Sequence, residues 1–153
     1  MTVRAIDTLD GELDEAFPPM SVTLRLDDDI DISRGDLICH PGDRPVLERD
    51  VTADVCWMTD APLRPGRRYV MKHNTHSVPA IVDALTDAVD IHTLDRHASP
   101  AGLGLNDIGR VRLRTARPVA LDPYARNRAT GSFILVDEAT NDTVGAGMVV
   151  PAP

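Results

Sequence analysis

The sequence has almost no lysine, only two cysteines and no long apolar run. No stretch of its 153 residues approaches the ~20 consecutive apolar residues of a membrane span. The N-terminus lacks the positively charged and then apolar pattern of a signal peptide. Cys39 and Cys56 stand in no metal-ligand spacing. We therefore expect two reduced thiols in a cytoplasmic protein that does not contact a membrane.

Motifs for catalysis and nucleotide binding are also missing. No Gly-x-Ser-x-Gly nucleophile turn occurs, and no Gly-x-x-x-x-Gly-Lys-[Ser/Thr] phosphate loop occurs. The only lysine, Lys72, follows no glycine-rich segment. We expect no catalytic residue, no bound cofactor and no nucleotide site within this chain.

Positive charge is scarce in the first part of the chain. The net charge is −8, and residues 1–60 carry fifteen Asp and Glu residues against five Arg. An acidic protein repels a phosphate backbone, so this balance argues against general nucleic-acid binding.

Alternation of apolar and polar residues is the main pattern that is present. A period of two indicates strands over Ser21–Leu26, Val51–Met58 and Arg110–Arg114. Apolar runs at Phe133–Val136 and Val144–Val150 predict a hairpin across the polar loop 137–143. With 12 prolines and 10 glycines marking turns, including Arg34-Gly35-Asp36, the sequence predicts an all-β barrel or sandwich.

The segment 78–92 is ambiguous on periodicity alone. Ile81, Leu85, Ala88 and Val89 share one face of a helix, whereas Ile81, Leu85, Val89 and Ile91 share one side of a strand. The alanines slightly favour a helix. Both alternatives remain open from the pattern itself.

Two clusters resemble metal sites by residue type. Asp27–Asp31 lacks the glycine and glutamate that a helix–loop–helix calcium loop requires at its sixth and twelfth positions, so we expect a solvated turn. His73 and His76 point to opposite faces if the segment is a strand, and His92 and His97 are five apart. We expect surface or loop histidines and no metal site.

Arginines form one basic concentration. Arg110, Arg112 and Arg114 alternate along a predicted strand, and Arg126 and Arg128 follow in a loop. They could meet a phosphate backbone or an acidic partner, or form a solvent face balanced by the acidic first third of the chain. Only Tyr124 lies nearby to stack a base, which weakens a nucleic-acid interpretation.

A set of motifs in fixed order resembles one known family. The set includes Leu105-Asn106-Asp107-Ile108-Gly109-Arg110-Val111, Pro118 to Tyr124, Asn127 to Ile134, Val144 to Val149, Ile30 to Leu37, and Trp57-Met58 through Pro65-Gly66. Together they resemble the C-terminal region of the large GTPase subunit of bacterial ATP sulfurylase, an elongation-factor-Tu-like GTPase. The resemblance runs from about Val3 to Val149.

The resemblance implies a domain organisation. Residues 1–45 would be the tail of a second β-barrel, 46–150 a third, C-terminal antiparallel β-barrel, and 151–153 a tail. It also implies that 78–92 is a strand. The family's phosphate loop, Mg²⁺ motifs and guanine-reading Asn-Lys-x-Asp are absent, so GTP and Mg²⁺ would belong to a GTPase domain that this sequence does not contain.

Function and partners follow from the same resemblance. It implies a non-catalytic region of a subunit that couples GTP hydrolysis to adenylyl sulfate synthesis, with the GTPase domain and the small catalytic subunit as partners. The alternative is an RNA- or protein-binding barrel module of an elongation-factor-like protein. We predict an interface at Tyr124, Arg126, Asn127, Arg128, Arg110, Arg112 and Arg114, because tyrosine and arginine are enriched at interface hot spots. Asn127 could instead hold the turn, since asparagine tolerates left-handed backbone.

Overall fold

The computed structural model describes residues 1–98 and 101–151, and this described part contains strands but no helix. It therefore has no helix that could span a membrane. Contacts divide the chain into one unit at Met1–Ser33 and another at Arg34–Pro153. Of the predicted tail 151–153, the last two residues lie outside the described residues.

The first unit is a small antiparallel sheet. Its strands are β1 (Val3–Thr8), β2 (Gly11–Leu13) and β3 (Thr23–Leu26), in the order β2-β1-β3. The predicted strand at Ser21–Leu26 is confirmed in its last four residues. Arg25 on β3 binds Asp7 at 2.7 Å and Glu12 at 2.9 Å, so one guanidinium ties all three strands together.

The second unit is a closed barrel. Its strands are β4 (Val46–Trp57), β5 (Arg68–His73), β6 (His76–Val89), β7 (Arg96–Ala98), β8 (Ile108–Leu121), β9 (Ser132–Val136) and β10 (Thr143–Val149). The order β5-β9-β10-β4-β8-β6 is antiparallel throughout, and β5 also pairs with β6 to close six strands. The short β7 lies outside, paired with β6. The predicted all-β barrel is confirmed.

The ambiguous segment 78–92 is a strand as far as Val89. It ends where the Asp90 carboxylate accepts hydrogen bonds from the backbone N–H groups of His92 and Thr93, which turns the chain back. The helix that periodicity slightly favoured is absent, because pairing of β6 with both β5 and β8 overrides local propensity.

The barrel interior is filled by the inward residues of alternating strands. On β4 these are Val51, Ala53, Val55 and Trp57, all nearly inaccessible to solvent. The Trp57 ring meets Tyr69 edge to face at 5.5 Å between centroids, and its Nε1 donates to the Ala61 carbonyl at 2.7 Å. Burial of this apolar surface at roughly 25 cal/mol per Å² is the main stabilising term of the barrel.

Glycine and asparagine residues hold several turns, including those predicted at Gly35 and in the loop 137–143. Gly35 and Gly66 have φ of 108° and 82°, values that favour glycine. Asn106 and Asn141 occupy the left-handed region at 65° and 61°, where asparagine is tolerated. Asn141 lies in the loop of the β9–β10 hairpin, which is confirmed in its predicted position.

Candidate interaction surface

The loop 122–131 connects β8 to β9 and is anchored at its base by buried polar groups. The Thr130 hydroxyl donates to the Asp122 carboxylate at 2.6 Å, and the Asp122 N–H donates to the Thr130 carbonyl at 3.2 Å. Both side chains are buried. A buried carboxylate needs such donors, so this pair fixes where the loop leaves and rejoins the barrel.

His73 adds a third buried polar group beneath the loop. Its Nε2 lies 2.9 Å from the Thr130 carbonyl, to which an Nε2–H donates, and only 4% of the residue is exposed. Burial lowers the pKa of His73 below its ordinary value, although the Thr130 carbonyl opposes this effect. The expectation of a surface or loop histidine is therefore wrong for His73, because its strand position points it into the barrel.

A glycine lets the loop pack closely against the barrel. A Cβ on Gly131 would lie 2.5 Å from the Tyr124 Cα and 2.6 Å from the Asn127 carbonyl oxygen, closer than real Cβ atoms come. The Tyr124 N–H also donates to the Val149 carbonyl on β10 at 2.9 Å. The loop backbone is thus held in one position relative to β9 and β10.

Tyr124 and Arg128 form one face of this loop. The Arg128 guanidinium lies over the Tyr124 ring, 5.8 Å from its centroid, in a cation–π arrangement. Arg128 is exposed and has no ion-pair partner in the part of the chain that the structure describes. Its charge is available to another molecule.

Arg126 and Asn127 are used within the chain. Arg126 binds Asp122 at 3.1 Å and also contacts Asp43, a residue of the acidic first third. Arg126 is therefore bound by carboxylates of its own chain, which is the alternative to an interface that the sequence left open. Asn127 is not left-handed; it holds the turn by accepting the Ala129 N–H on its side-chain oxygen at 3.0 Å.

The three β8 arginines lie on the outer face of the barrel, and each binds an aspartate on a neighbouring strand. Arg110 binds Asp54 at 3.1 Å, Arg112 binds Asp83 at 2.6 Å and Arg114 binds Asp50 at 2.9 Å. Lateral pairing of oppositely charged side chains stabilises a sheet modestly. Their charge is neutralised locally, unlike that of Arg128.

Asp54 is the centre of this ladder. It accepts bidentate hydrogen bonds from Arg110 and also from Arg96, which binds Asp87 at 2.6 Å as well. Burial alone would raise the pKa of Asp54, but the hydrogen bonds from Arg110 and Arg96 outweigh it and hold the pKa below its ordinary value.

A groove of about 620 Å³ opens on the outer face of β9, β10 and β4, beside Tyr124 and Arg128. Tyr124 and Arg128 were predicted from the sequence as interface residues, whereas the other residues that line the groove were not. The other lining side chains belong to Cys56, Lys72, Asn74, Ala129, Ser132, Phe133, Ile134, Ala146 and Met148, with Gly147. Their alternation along the strands was visible, but only the pairing of the strands shows which of them are neighbours.

Residues 1–98 and 101–151 include both cysteines and all five histidines of the chain. No three His, Cys, Asp or Glu side chains in those ranges are grouped as metal ligands. Cys39 is exposed and Cys56 is partly buried, and neither forms a disulfide.

The barrel and its anchored loop define the chain's second unit as a closed, six-stranded antiparallel β-barrel domain. The family described as GTP-eEF1A C-terminal domain-like matches residues 50–150, and the chain belongs to this family.

Relatives with curated names extend the likeness to nearly the whole chain. The bifunctional enzyme CysN/CysC of Mycobacterium tuberculosis is 52% identical over 97% of this chain and 24% of its own length. Sulfate adenylyltransferase subunit 1 of Alteromonas mediterranea is 43% identical over 97% of the chain and 31% of its own. The chain therefore spans about a quarter to a third of the length of the curated relatives it matches.

The fold has solved counterparts. The crystal structure of Sup35 complexed with GDP superposes with a TM-score of 0.83 at 24% identity, over 99% of this chain and 37% of that one. This likeness supports the β fold of the chain.

Proposed function

We propose that this chain is a non-catalytic barrel region of the GTPase subunit of sulfate adenylyltransferase, and that the whole subunit couples GTP hydrolysis to adenylyl sulfate synthesis. The observation that carries the proposal is the 40–52% identity, over 97% of the chain, to proteins named CysN/CysC and sulfate adenylyltransferase subunit 1. The domain limits 1–45 and 46–150 and a cytoplasmic location belong to the same proposal.

In this proposal, the physical role of the region is to transmit conformational changes between the two active sites. Adenylyl sulfate formation is thermodynamically unfavourable, so GTP hydrolysis on one subunit can drive it only through linked conformations of the two active sites. A closed barrel with a nearly inaccessible core suits this task, because it moves as one body. The anchored loop 122–131 gives that body a defined contact feature.

The partners in this proposal are the GTPase domain of the same polypeptide and the small catalytic subunit. The interface lies on the loop face formed by Tyr124 and Arg128. Arg126 and Asn127 support the loop from within, and Arg110, Arg112 and Arg114 contribute through the neighbouring outer face.

Nucleotide titration tests the non-catalytic part. Phosphate recognition requires oriented backbone N–H groups, a lysine and usually Mg²⁺, and the sequence has no phosphate loop. Isothermal titration of the 153-residue chain with Mg·GTP is expected to give no heat of binding. Micromolar affinity would contradict the proposal.

A further inference from the structure

The groove beside Tyr124 is built from outward residues of four paired strands. Strand register places Lys72, Ile134, Ala146 and Cys56 side by side in one row across β5, β9, β10 and β4. The neighbouring row contains Ser132, Met148 and, on β4, Asp54, which lies outside the groove lining and is bound by Arg96 and Arg110. The small Ala146 side chain leaves the centre of the row low, with Ile134 and Cys56 beside it across the strands and Met148 next to it along β10.

The floor of the groove is apolar and partly accessible. Ile134, Ala146 and Cys56 are half-buried, and Met148 is 36% exposed. On the outer face of a barrel, alternation normally places polar residues toward water. The neighbouring β4–β8–β6 face follows that rule with its ladder of arginines and aspartates, whereas the groove does not.

The charge of the groove is opposite to that of the chain. The chain has a net charge of −8, yet no Asp or Glu lines the groove, while Lys72 and Arg128 do. Neither cation has an ion-pair partner within residues 1–98 and 101–151, a property they share with other exposed arginines such as Arg64 and Arg117, but the groove cations stand beside an apolar floor with no acidic lining residue. An apolar floor between two unpaired cations is complementary to an apolar side chain flanked by carboxylates.

We propose that this groove is the docking site for an acidic, amphipathic segment of the small catalytic subunit. An apolar side chain of that segment fills the space over Ala146, and its carboxylates bind Lys72 and Arg128. This inference rests on the proposed function and names the chemistry of the partner at that surface. RNA suits the site less well, because the floor between Lys72 and Arg128 is apolar and Arg128 already covers the Tyr124 ring on which a base would stack.

The first experiment measures the affinity of the full-length subunit for the small subunit. The variant Lys72→Glu/Arg128→Glu reverses both groove charges, and the control Arg64→Glu/Arg117→Glu makes the same change at exposed arginines outside the groove. Loss of hot-spot contacts is expected to weaken binding about thirtyfold or more in the groove variant. The control, which changes only long-range attraction, is expected to lose far less. Equal losses in both variants, or no loss in either, would overturn the proposal.

The second experiment uses the unaltered protein and does not depend on the folding of a variant. Cys56 lines the groove and Cys39 does not, so alkylation by iodoacetamide reports on each separately when peptides are resolved by mass spectrometry. Saturation with the small subunit is expected to slow modification of Cys56 and leave Cys39 unchanged. An unprotected Cys56 in the saturated complex, or protection of Cys56 by RNA and not by the subunit, would overturn the docking site.

The two levels of the proposal fail in different ways. If the small subunit binds with full affinity to the groove variant, the docking site is wrong and the proposed function stands. If the unaltered subunit does not bind the small subunit at all, both the proposed function and the docking site are wrong.

Discussion

The Thr130 hydroxyl lies 2.6 Å from the Asp122 carboxylate, and both side chains are buried where the loop 122–131 meets the barrel. Thr130→Val keeps the shape of the side chain but removes the donor. Asp122 then keeps its contact with Arg126 and loses its buried partner. We expect unfolding free energy to fall by about 1–3 kcal/mol, the cost of an unsatisfied buried acceptor.

Chemical denaturation of the purified chain measures this loss. Thr143→Val, at an exposed position of β10, is the matched control and is expected to change stability little. Equal stability of the Thr130 variant and the unaltered chain would mean that the pair does not anchor the loop.

Replacement of Asp54 is predicted to lower the unfolding free energy more than replacement of Asp50, although each aspartate binds an arginine of β8. Asp54→Asn weakens contacts to both Arg110 and Arg96 at a partly buried position. We expect a loss of about 1.5–3 kcal/mol in unfolding free energy, the range for hydrogen bonds to charged groups. Asp50→Asn removes an exposed pair with Arg114, and solvent screening leaves little to lose. Similar losses in the two variants would contradict the central position of Asp54 in the ladder.

Stability is predicted to depend on pH through His73. Burial lowers the pKa of His73 below 6.5, so the unfolded chain binds a proton more readily than the folded chain. Stability from this group is therefore complete above the unfolded pKa and is lost as pH falls below it toward the folded pKa. The charged or titratable neighbours that act on the ring are His76 and Asp122.

The variant His73→Gln isolates that contribution, because glutamine can still donate to the Thr130 carbonyl but does not titrate. Denaturant unfolding is compared at about pH 7.5 and about pH 5.5, which span the unfolded pKa. The unaltered chain is expected to lose more stability than the variant over this interval. Parallel losses would exclude His73 as the titrating group.

Gly147 is predicted to be necessary for the packing of Phe133. A Cβ on Gly147 would enter the space of the Phe133 ring, which is buried on the adjacent β9. Gly147→Ala is expected to cost about 1–3 kcal/mol, as overpacking of a core does. Gly42→Ala is the control, because a Cβ there meets nothing within 4 Å. Differential scanning calorimetry of both variants tests this, and equal melting temperatures would show that the ring moves freely aside.

Much of the barrel was predictable because its strands alternate and its turns carry Gly, Pro and Asn. The alternation of apolar and polar residues did not predict three kinds of strand. Short strands such as β7 have too few residues to show a period. The strand β8 continues through Pro118 to Leu121, although a proline argues against a strand at that point. The proline is accommodated because a bulge interrupts the pairing of β8 with β4 there. The strand β6 was resolved by resemblance and not by periodicity.

The candidate site was predictable only in part. Tyr124 and Arg128 are recognisable from residue type and loop position. Lys72 and Met148 are far apart in sequence from each other, and only the pairing of β5, β9 and β10 brings their strands to one groove. The pairing of Arg110, Arg112 and Arg114 with aspartates likewise depends on register across β4 and β6, which no local pattern specifies.

Replacement of the matching region in a relative tests the central claim most directly. Residues 3–149 of this chain are inserted into the sulfate adenylyltransferase subunit 1 of Shewanella woodyi, which is 46% identical over the aligned part. Adenylyl sulfate formation is then measured in the assembled enzyme with and without GTP. The account predicts that the chimera keeps GTP-stimulated synthesis close to that of the unaltered enzyme. A chimera that folds and hydrolyses GTP but shows no stimulation of adenylyl sulfate synthesis would contradict it.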